Sequence, residues 1–118
     1  MEQKEQMEAY RDYFREKDEL AKYLNIQLEE VKPGYARGTL EIKKELLNGL
    51  GVTHGGTIFS LADVVFAAAS NSRGIPAVSL SVHISFLKAS GVGNRLTAIA
   101  MEENITRKTG LYLSLIHI

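Results

Sequence analysis

NGLGVTHGGTIFSLADVVFAAASN, residues 48–71, is the stretch that decides how the rest of the sequence is interpreted. Its first half is rich in glycine, and its second half is apolar over enough residues to predict a helix beginning near Gly55. The first backbone N–H groups of a helix have no partner within the helix and carry partial positive charge. The start of this helix is therefore a candidate anion or oxyanion site.

Residues at three- and four-residue steps predict the side of this helix that faces the core: Phe59, Ala62, Phe66 and Ser70. Asp63 belongs to the same stripe, and Arg73 is the only other charged residue in 46–87 when His is taken as neutral. Burying an isolated carboxylate is costly. Three interpretations of Asp63 stay open: a structural hydrogen-bonding partner, a group that binds a cationic ligand, or a catalytic base or nucleophile.

The spacing along the helix limits what one chain can do. Asp63 follows Gly55 by eight residues, which is about 12 Å along the axis at about 1.5 Å per residue. A carbonyl that touches the Gly55 amide is then out of reach of Asp63 on the same helix. If both groups act on one substrate, the second comes from another subunit across a two-fold axis, so a catalytic interpretation predicts an oligomer.

The overall composition is typical of one globular domain, residues 1–118, with 45% hydrophobic and 24% charged residues. A net charge of zero gives no indication of nucleic-acid binding. The absence of cysteine excludes disulfides, thiolate metal sites and cysteine nucleophiles. With no apolar run of signal-peptide or membrane-spanning character, we expect a cytoplasmic protein without membrane contact.

The order of elements favours an α+β fold. Residues 1–24 form a predicted N-terminal helical segment, a packing helix or a substrate lid, with a break at Lys17–Asp18 where Asp18 caps a second helix. Alternating residues 26–31 and 35–42 around Pro33-Gly34 predict a hairpin. Further strands are predicted at 78–87, 96–101 and 111–118. Such a run of strands indicates an antiparallel sheet wrapped around the single long helix.

The spacing of the residues disfavours several other kinds of active or binding site. No serine has the Gly-x-Ser-x-Gly surroundings of a hydrolase elbow, and the glycines of the loop do not form a dinucleotide motif. His54, His83 and Asp63 fall on a loop, a strand and a helix without metal-ligand spacing, so no metal is expected. His54 precedes the candidate amide donors, where it either fixes the loop, the favoured role, or acts in substrate binding or proton transfer.

The motifs together support a family resemblance. Asn48-Gly49, His54-Gly55-Gly56, residues 59–63 and residues 67–72 resemble the hotdog-fold acyl-CoA thioesterases of the phenylacetate-pathway (PaaI) type. Residues 24–36 are similar to the entry strand of that family. The resemblance spans about residues 10–113 and implies a hotdog fold, in which the sheet wraps the central helix.

The resemblance also implies an activity. A member of this family hydrolyses an acyl-CoA thioester, with aryl-acetyl-CoA as one candidate, to free acid and CoA. It needs no metal and no cofactor, since CoA is part of the substrate. It works as a homodimer or dimer of dimers with sites at the subunit interface. A non-catalytic acyl-CoA-binding module is the alternative, and a hotdog dehydratase is disfavoured because the expected His/carboxylate spacing is absent.

Site residues transfer by motif match. Gly55 would offer the N–H that polarises the thioester carbonyl, and Asp63 would attack that carbonyl or activate water. Asn48 would position the water or the base. Contacts with substrate are implied for three further residues: His54, Gly56 and Ser79. Ser79 would alternatively support Asp63.

The C-terminus departs from the family pattern. Members continue past Leu113 through further alternating residues, a turn and a last strand inside the sheet, whereas this sequence ends LSLIHI. We therefore expect the last sheet strand to be missing and its neighbours to have unpaired edges. An unstable or inactive truncated copy is a further alternative.

Overall fold

The computed structural model describes residues 3–118, which form three helices and four strands. In chain order these are α1 (Gln3–Lys17), α2 (Glu19–Leu24), β1 (Gln27–Lys32), β2 (Tyr35–Glu41), α3 (Gly55–Ser70), β3 (Arg95–Ile105) and β4 (Gly110–His117), with a short 3-10 turn at Lys44–Leu46. Residues 1 and 2 of the predicted N-terminal segment and domain lie outside the described residues. None of the helices in the described part has the length and apolarity to span a membrane.

The strands form one antiparallel sheet in the order β1-β2-β3-β4. The predicted hairpin is confirmed, and it turns at Gly34, whose φ of +74° is one that glycine adopts without strain. The strands predicted at 96–101 and 111–118 are also present, as β3, which extends to Ile105, and as β4. The outer edge of β4 has no neighbouring strand within residues 3–118.

Helix α3 packs on one face of the sheet, and the sheet is built to let it approach closely. Gly38 lies opposite Ala98, and Ala36 lies opposite Ala100, so small residues line the centre of β2 and β3. A Cβ on Gly38 would lie only 2.8 Å from Cγ2 of Val65. The predicted α+β arrangement of a sheet on one central helix is therefore confirmed.

The predicted core-facing stripe of α3 is wrong. The buried side consists of Thr57, Leu61, Val64, Val65, Ala68 and Ala69. Phe59 and Asp63 are exposed on the other side of the helix, and Ala62, Phe66 and Ser70 are half-buried. Val65 faces the sheet at Gly38, where the missing Cβ gives its methyl group room. Phe59 is left outside, whereas the ring of Phe66 packs at the margin of the core, edge-on against Tyr112.

The predicted strand over residues 78–87 is also wrong, because the structure has no strand between α3 and β3. A strand exists through hydrogen bonds to a neighbour, and no described strand pairs with this segment. Its ends are nevertheless held. Ala77 exchanges two hydrogen bonds with the Asn71 side chain, and Thr53 donates its N–H to the Ser90 carbonyl.

The break predicted in the N-terminal segment is confirmed. Asp18 lies between α1 and α2, and its side chain accepts a hydrogen bond from the Ala21 N–H. The hydroxyl of Tyr10 donates a 3.1 Å hydrogen bond to the Ala68 carbonyl, which ties α1 to α3. Burial raises the pKa of Tyr10 to about 12.

Candidate active site

The loop before α3 is held by the side chain of Asn48. Its Oδ1 accepts hydrogen bonds from the N–H groups of Leu50 (2.9 Å) and Val52 (3.2 Å). These side-chain hydrogen bonds form an Asx turn and add to the backbone ones that close the loop, from the Asn48 N–H to the Val52 carbonyl and from the Gly51 N–H to the Asn48 carbonyl. The predicted site residue Asn48 therefore already orders the loop with its oxygen, and its amide nitrogen makes none of the described hydrogen bonds.

The base of the loop is fixed by three hydroxyl side chains that the sequence did not single out. The Ser90 hydroxyl donates a 2.7 Å hydrogen bond to Oγ1 of Thr53, and both residues are buried. The Thr57 hydroxyl donates to the Leu46 carbonyl at 3.2 Å. No spacing signal could have found this set, because Ser90 is distant in sequence from the loop it supports.

His54 is the N-cap of α3. Its Nδ1 accepts a 2.8 Å hydrogen bond from the Gly56 N–H, and its own N–H donates to the Leu46 carbonyl. A ring nitrogen that accepts carries no proton, so this hydrogen bond assigns the neutral tautomer with the proton on Nε2. The geometry supports the role of His54 in fixing the helix start.

The amides at the start of α3 are not equivalent. The Gly56 N–H is occupied by His54, so this predicted substrate contact has no free amide to offer in the structure. The Gly55 N–H has no acceptor among residues 3–118. A Cβ on Gly55 would lie 3.5 Å from the ring of Phe86. Gly55 thus presents a single open donor beside an aromatic ring at the positive end of the helix.

Asp63 lies two turns further along α3, on the side that faces away from the sheet. It is exposed, which corrects the predicted burial, and it forms no ion pair with any described residue. Partial desolvation by its surroundings raises the pKa of the Asp63 carboxyl above its usual value, and the negative charge of Asp18 adds to this rise. The carboxylate is therefore more basic than an ordinary surface aspartate.

The structure does not bring all predicted site residues together in one chain. Helix α3 is continuous from Gly55 to Ser70, so Gly55 and Asp63 are separated by about 12 Å along its axis. Ser79 is exposed on the irregular segment after α3 and makes none of the described side-chain hydrogen bonds. Its predicted support of Asp63 is therefore not formed within a single chain.

The described residues do not offer a ready metal site at this helix. They contain no group of three or more His, Asp or Glu side chains placed to hold a metal ion. Two open surface hollows of about 390 and 550 Å³ lie against α1, and neither is lined by Gly55 or Asp63. The chemical features of this helix are an open amide and a basic carboxylate, which are the two groups that acyl transfer to water requires.

Comparison with known sequences also indicates a thioester hydrolase. Residues 50–117 match the thioesterase superfamily model. The chain is 45% identical over 107 residues to a putative esterase of Archaeoglobus fulgidus, covering 91% of this chain and 70% of that protein. It is 40% identical over 97 residues to the acyl-coenzyme A thioesterase PaaI of Escherichia coli, covering 82% of this chain and 69% of that protein.

Comparison with solved structures supports the fold. The E. coli PaaI protein from the phenylacetic acid degradation operon superposes with a TM-score of 0.92 at 35% identity, covering 98% of this chain and 83% of that one. A Streptococcus mutans protein solved with bound acetyl-CoA gives a TM-score of 0.75 at 29% identity, covering 78% and 74% of the two chains. The expected hotdog fold is confirmed.

Proposed function

The chain belongs to the thioesterase superfamily, and from that premise we propose that it hydrolyses acyl-CoA thioesters to a free acid and CoA at a site shared by two subunits. The observation that carries the proposal is the pairing, on one helix, of an open Gly55 amide with a carboxylate of raised pKa at Asp63. The names of the E. coli and S. mutans proteins, which refer to acyl-CoA and acetyl-CoA, support the choice of substrate class.

Gly55 would stabilise the oxygen of the reacting thioester. Its N–H has no acceptor among the described residues and lies at the N-terminus of α3, where the helix dipole favours negative charge. A donor aimed at a developing oxyanion is worth about 3–4 kcal/mol, or roughly 10²–10³-fold in rate. His54 supports this donor indirectly, since it engages the neighbouring Gly56 amide and leaves that of Gly55 open.

Asp63 would supply the carboxylate that reacts with the thioester or with water. As a base it takes a proton from water, the hydroxide equivalent adds to the carbonyl carbon, and the C–S bond breaks to release the CoA thiolate. As a nucleophile it attacks the carbonyl carbon, the C–S bond breaks to release the CoA thiolate, and water then cleaves the resulting mixed anhydride to the free acid and the Asp63 carboxylate. Asn48, whose amide nitrogen is uncommitted, would hold the attacking water or the carboxylate.

Two copies of the chain would complete each site. The separation of about 12 Å along α3 keeps Gly55 and Asp63 of one chain from a single carbonyl. An antiparallel arrangement of two α3 helices around a two-fold axis would set the Gly55 amide of one subunit beside Asp63 of the other. A homodimer is the smallest assembly that meets this requirement, and a dimer of dimers also does.

The test is a thiol-release assay over acyl-CoA substrates of increasing size, including aryl-acetyl-CoA. We expect Asp63→Asn and Asp63→Ala to lower kcat by about 10²–10⁴-fold, the contribution of a positioned base. Glu103→Gln is the matched control, because Glu103 is an exposed acid on β3 without an ion pair among the described residues. It should turn over at the wild-type rate.

Two results would refute the proposal. Wild-type rates in both Asp63 variants would remove Asp63 from the mechanism. Tight binding of acyl-CoA by the unaltered chain, with no thiol released from any substrate in the panel, would instead identify a binding module.

A further inference from the structure

The ring of Phe86 lies at the start of α3, beside the open amide of Gly55. Its Cε1 and Cζ atoms are 3.5 Å from the position that a Cβ on Gly55 would occupy. The Cα–Cβ bonds of a helix lean toward its N-terminus, and the first N–H groups point toward the same end. The edge of the ring and the space in front of the Gly55 N–H are therefore at the same end of the helix.

Two hydrogen bonds hold the segment that carries Phe86 against the helix start, although this segment has no regular structure. Four residues after Phe86, the carbonyl of the buried Ser90 accepts the Thr53 N–H at 2.8 Å, and the Ser90 hydroxyl donates to Oγ1 of Thr53 at 2.7 Å. Thr53 directly precedes His54, the N-cap of α3. The position of the ring at the helix start is thus supported by a buried contact.

Packing of the core does not account for the ring of Phe86. The residue is 55% exposed, and it belongs to neither of the aromatic pairs among the described residues. Phe59 lies one turn further along α3 on the side of Gly55 and is also partly exposed. The open amide therefore has exposed aromatic side chains near it, one on the segment after α3 and one on its own helix.

The ring of Phe86 is within reach of a thioester held by the Gly55 amide. A carbonyl oxygen that accepts this N–H at about 2.9 Å puts its carbon about 4 Å from the nitrogen. The ring edge lies at most about 6.5 Å from the same nitrogen, because two bonds of about 1.5 Å join the nitrogen to the Cβ position. The groups bonded to the carbonyl carbon are therefore the parts of the substrate that can contact the ring.

The chemistry of the segment favours the acyl arm of the thioester over the CoA arm. Residues 74–87 contain no Asp, Glu, Lys or Arg. The CoA arm carries amides and phosphates, which are costly to remove from water without hydrogen-bonding partners, and a phenyl ring offers none. An aliphatic acyl chain is instead stabilised by the ring, because their contact removes apolar surface of both from water.

We propose that Phe86 is a specificity-determining residue, whose ring contacts the acyl chain beyond the α-carbon and favours substrates with an extended apolar acyl group over acetyl-CoA. The inference rests on the proposed function, because it takes the thioester carbonyl to be bound at Gly55. It deepens that function by naming the class of acyl group that is preferred and the side chain that selects it.

The experiment compares hexanoyl-CoA with acetyl-CoA, which differ only in the length of the acyl chain. Isothermal titration calorimetry measures both affinities in the Asp63→Asn chain, where the proposed mechanism leaves the bound thioester intact. Adding Phe86→Ala should weaken the binding of hexanoyl-CoA relative to acetyl-CoA about 10-fold, the lower end of what one apolar contact contributes to discrimination. Phe86→Leu keeps part of the apolar contact and should lower the same ratio by a smaller factor.

Leu87→Ala is the matched control, because Leu87 is the adjacent apolar residue and is 91% exposed. It should leave the affinity ratio unchanged. Both substrates bind the same sites, so a variant that only weakens subunit association lowers the binding of both alike and does not change their ratio. With Asp63 unaltered, the ratio of the two kcat/KM values should fall by the same factors in the Phe86 variants.

An unchanged preference for hexanoyl-CoA in both Phe86 variants overturns the inference, even if the absolute affinities fall. The proposed function fails separately, through wild-type thiol release in Asp63→Asn. The affinity ratio is measured without turnover, so the two failures are distinguishable.

Discussion

At the scale of single residues, His54 determines which backbone N–H groups at the start of α3 are free to bind a substrate. Its ring nitrogen accepts the Gly56 N–H at 2.8 Å, and this leaves one amide, that of Gly55, open. The imidazole must be neutral at Nδ1 to do so. A histidine in this position is thus a structural cap first, and its Nε2–H remains available to a bound molecule.

The cap predicts a difference between two substitutions of His54. His54→Ala removes the acceptor and should lower the free energy of unfolding by about 1 kcal/mol, within the range of about 0.5–2 kcal/mol for lost caps. His54→Asn keeps a side-chain oxygen in reach of the Gly56 N–H and should stay close to wild-type stability. Urea denaturation followed by circular dichroism measures both. Equal destabilisation of the two variants would show that the cap is not what His54 contributes.

At the scale of elements, the contact between α3 and the sheet depends on one glycine. A Cβ on Gly38 would meet Cγ2 of Val65 at 2.8 Å and the Gln27 carbonyl oxygen at 3.2 Å. Gly38→Ala should therefore destabilise the fold by about 1–3 kcal/mol, the usual cost of overpacking. Chemical denaturation gives the value, with Gly49→Ala as the control because nothing lies within 4 Å of its Cβ position.

The companion substitution Val65→Ala removes the methyl group that a Cβ at position 38 would meet. Val65→Ala should lower the free energy of unfolding less in the Gly38→Ala background than in the unaltered chain, because the two positions are in contact. Strict additivity of the two changes in the free energy of unfolding would contradict the close approach of α3 to β2.

The elements that could be predicted from the sequence are those specified by local signals. The start of α3 at Gly55, the break at Asp18 and the hairpin around Gly34 each follow from a cap, a glycine or a period within a few residues. The buried side of α3 could not be predicted in this way, because it depends on Gly38 of a distant strand.

The same distinction between local and distant signals explains why the strand predicted at residues 78–87 is absent. Its alternation is clear in the sequence, but a strand also needs a neighbour, and no described strand supplies one. For the site, the residues at the helix start could be predicted, whereas the supporting Thr53–Ser90 contact joins positions distant in sequence. The exposure of Asp63 was missed for the same reason as the buried side of its helix.

At the scale of the whole molecule, the account depends on two chains sharing each site. The open amide and the carboxylate lie on one helix of the hotdog fold, about 12 Å apart along its axis. The face of α3 that carries Asp63 is turned away from its own sheet, and Phe59 is 37% exposed there. A second subunit on this face would bury that ring and complete the pair of groups.

Two matched substitutions of Gly55 isolate its N–H. Proline is tolerated at the first position of a helix, and His54 already has the extended ψ of 136° that a following proline requires. Gly55→Pro therefore removes the donor and keeps the helix start. Gly55→Ala keeps the donor and adds a Cβ at an ordinary 3.5 Å from Phe86, so it should retain activity.

The most direct measurement is the activity of mixed oligomers made by refolding Gly55→Pro and Asp63→Asn chains together, each inactive alone. If every site takes Gly55 from one subunit and Asp63 from the other, each mixed dimer regains one intact site, and random mixing should restore about a quarter of the wild-type thiol release. Activity no higher than that of the two separate variants, in a mixture shown to contain mixed dimers, would contradict the shared site.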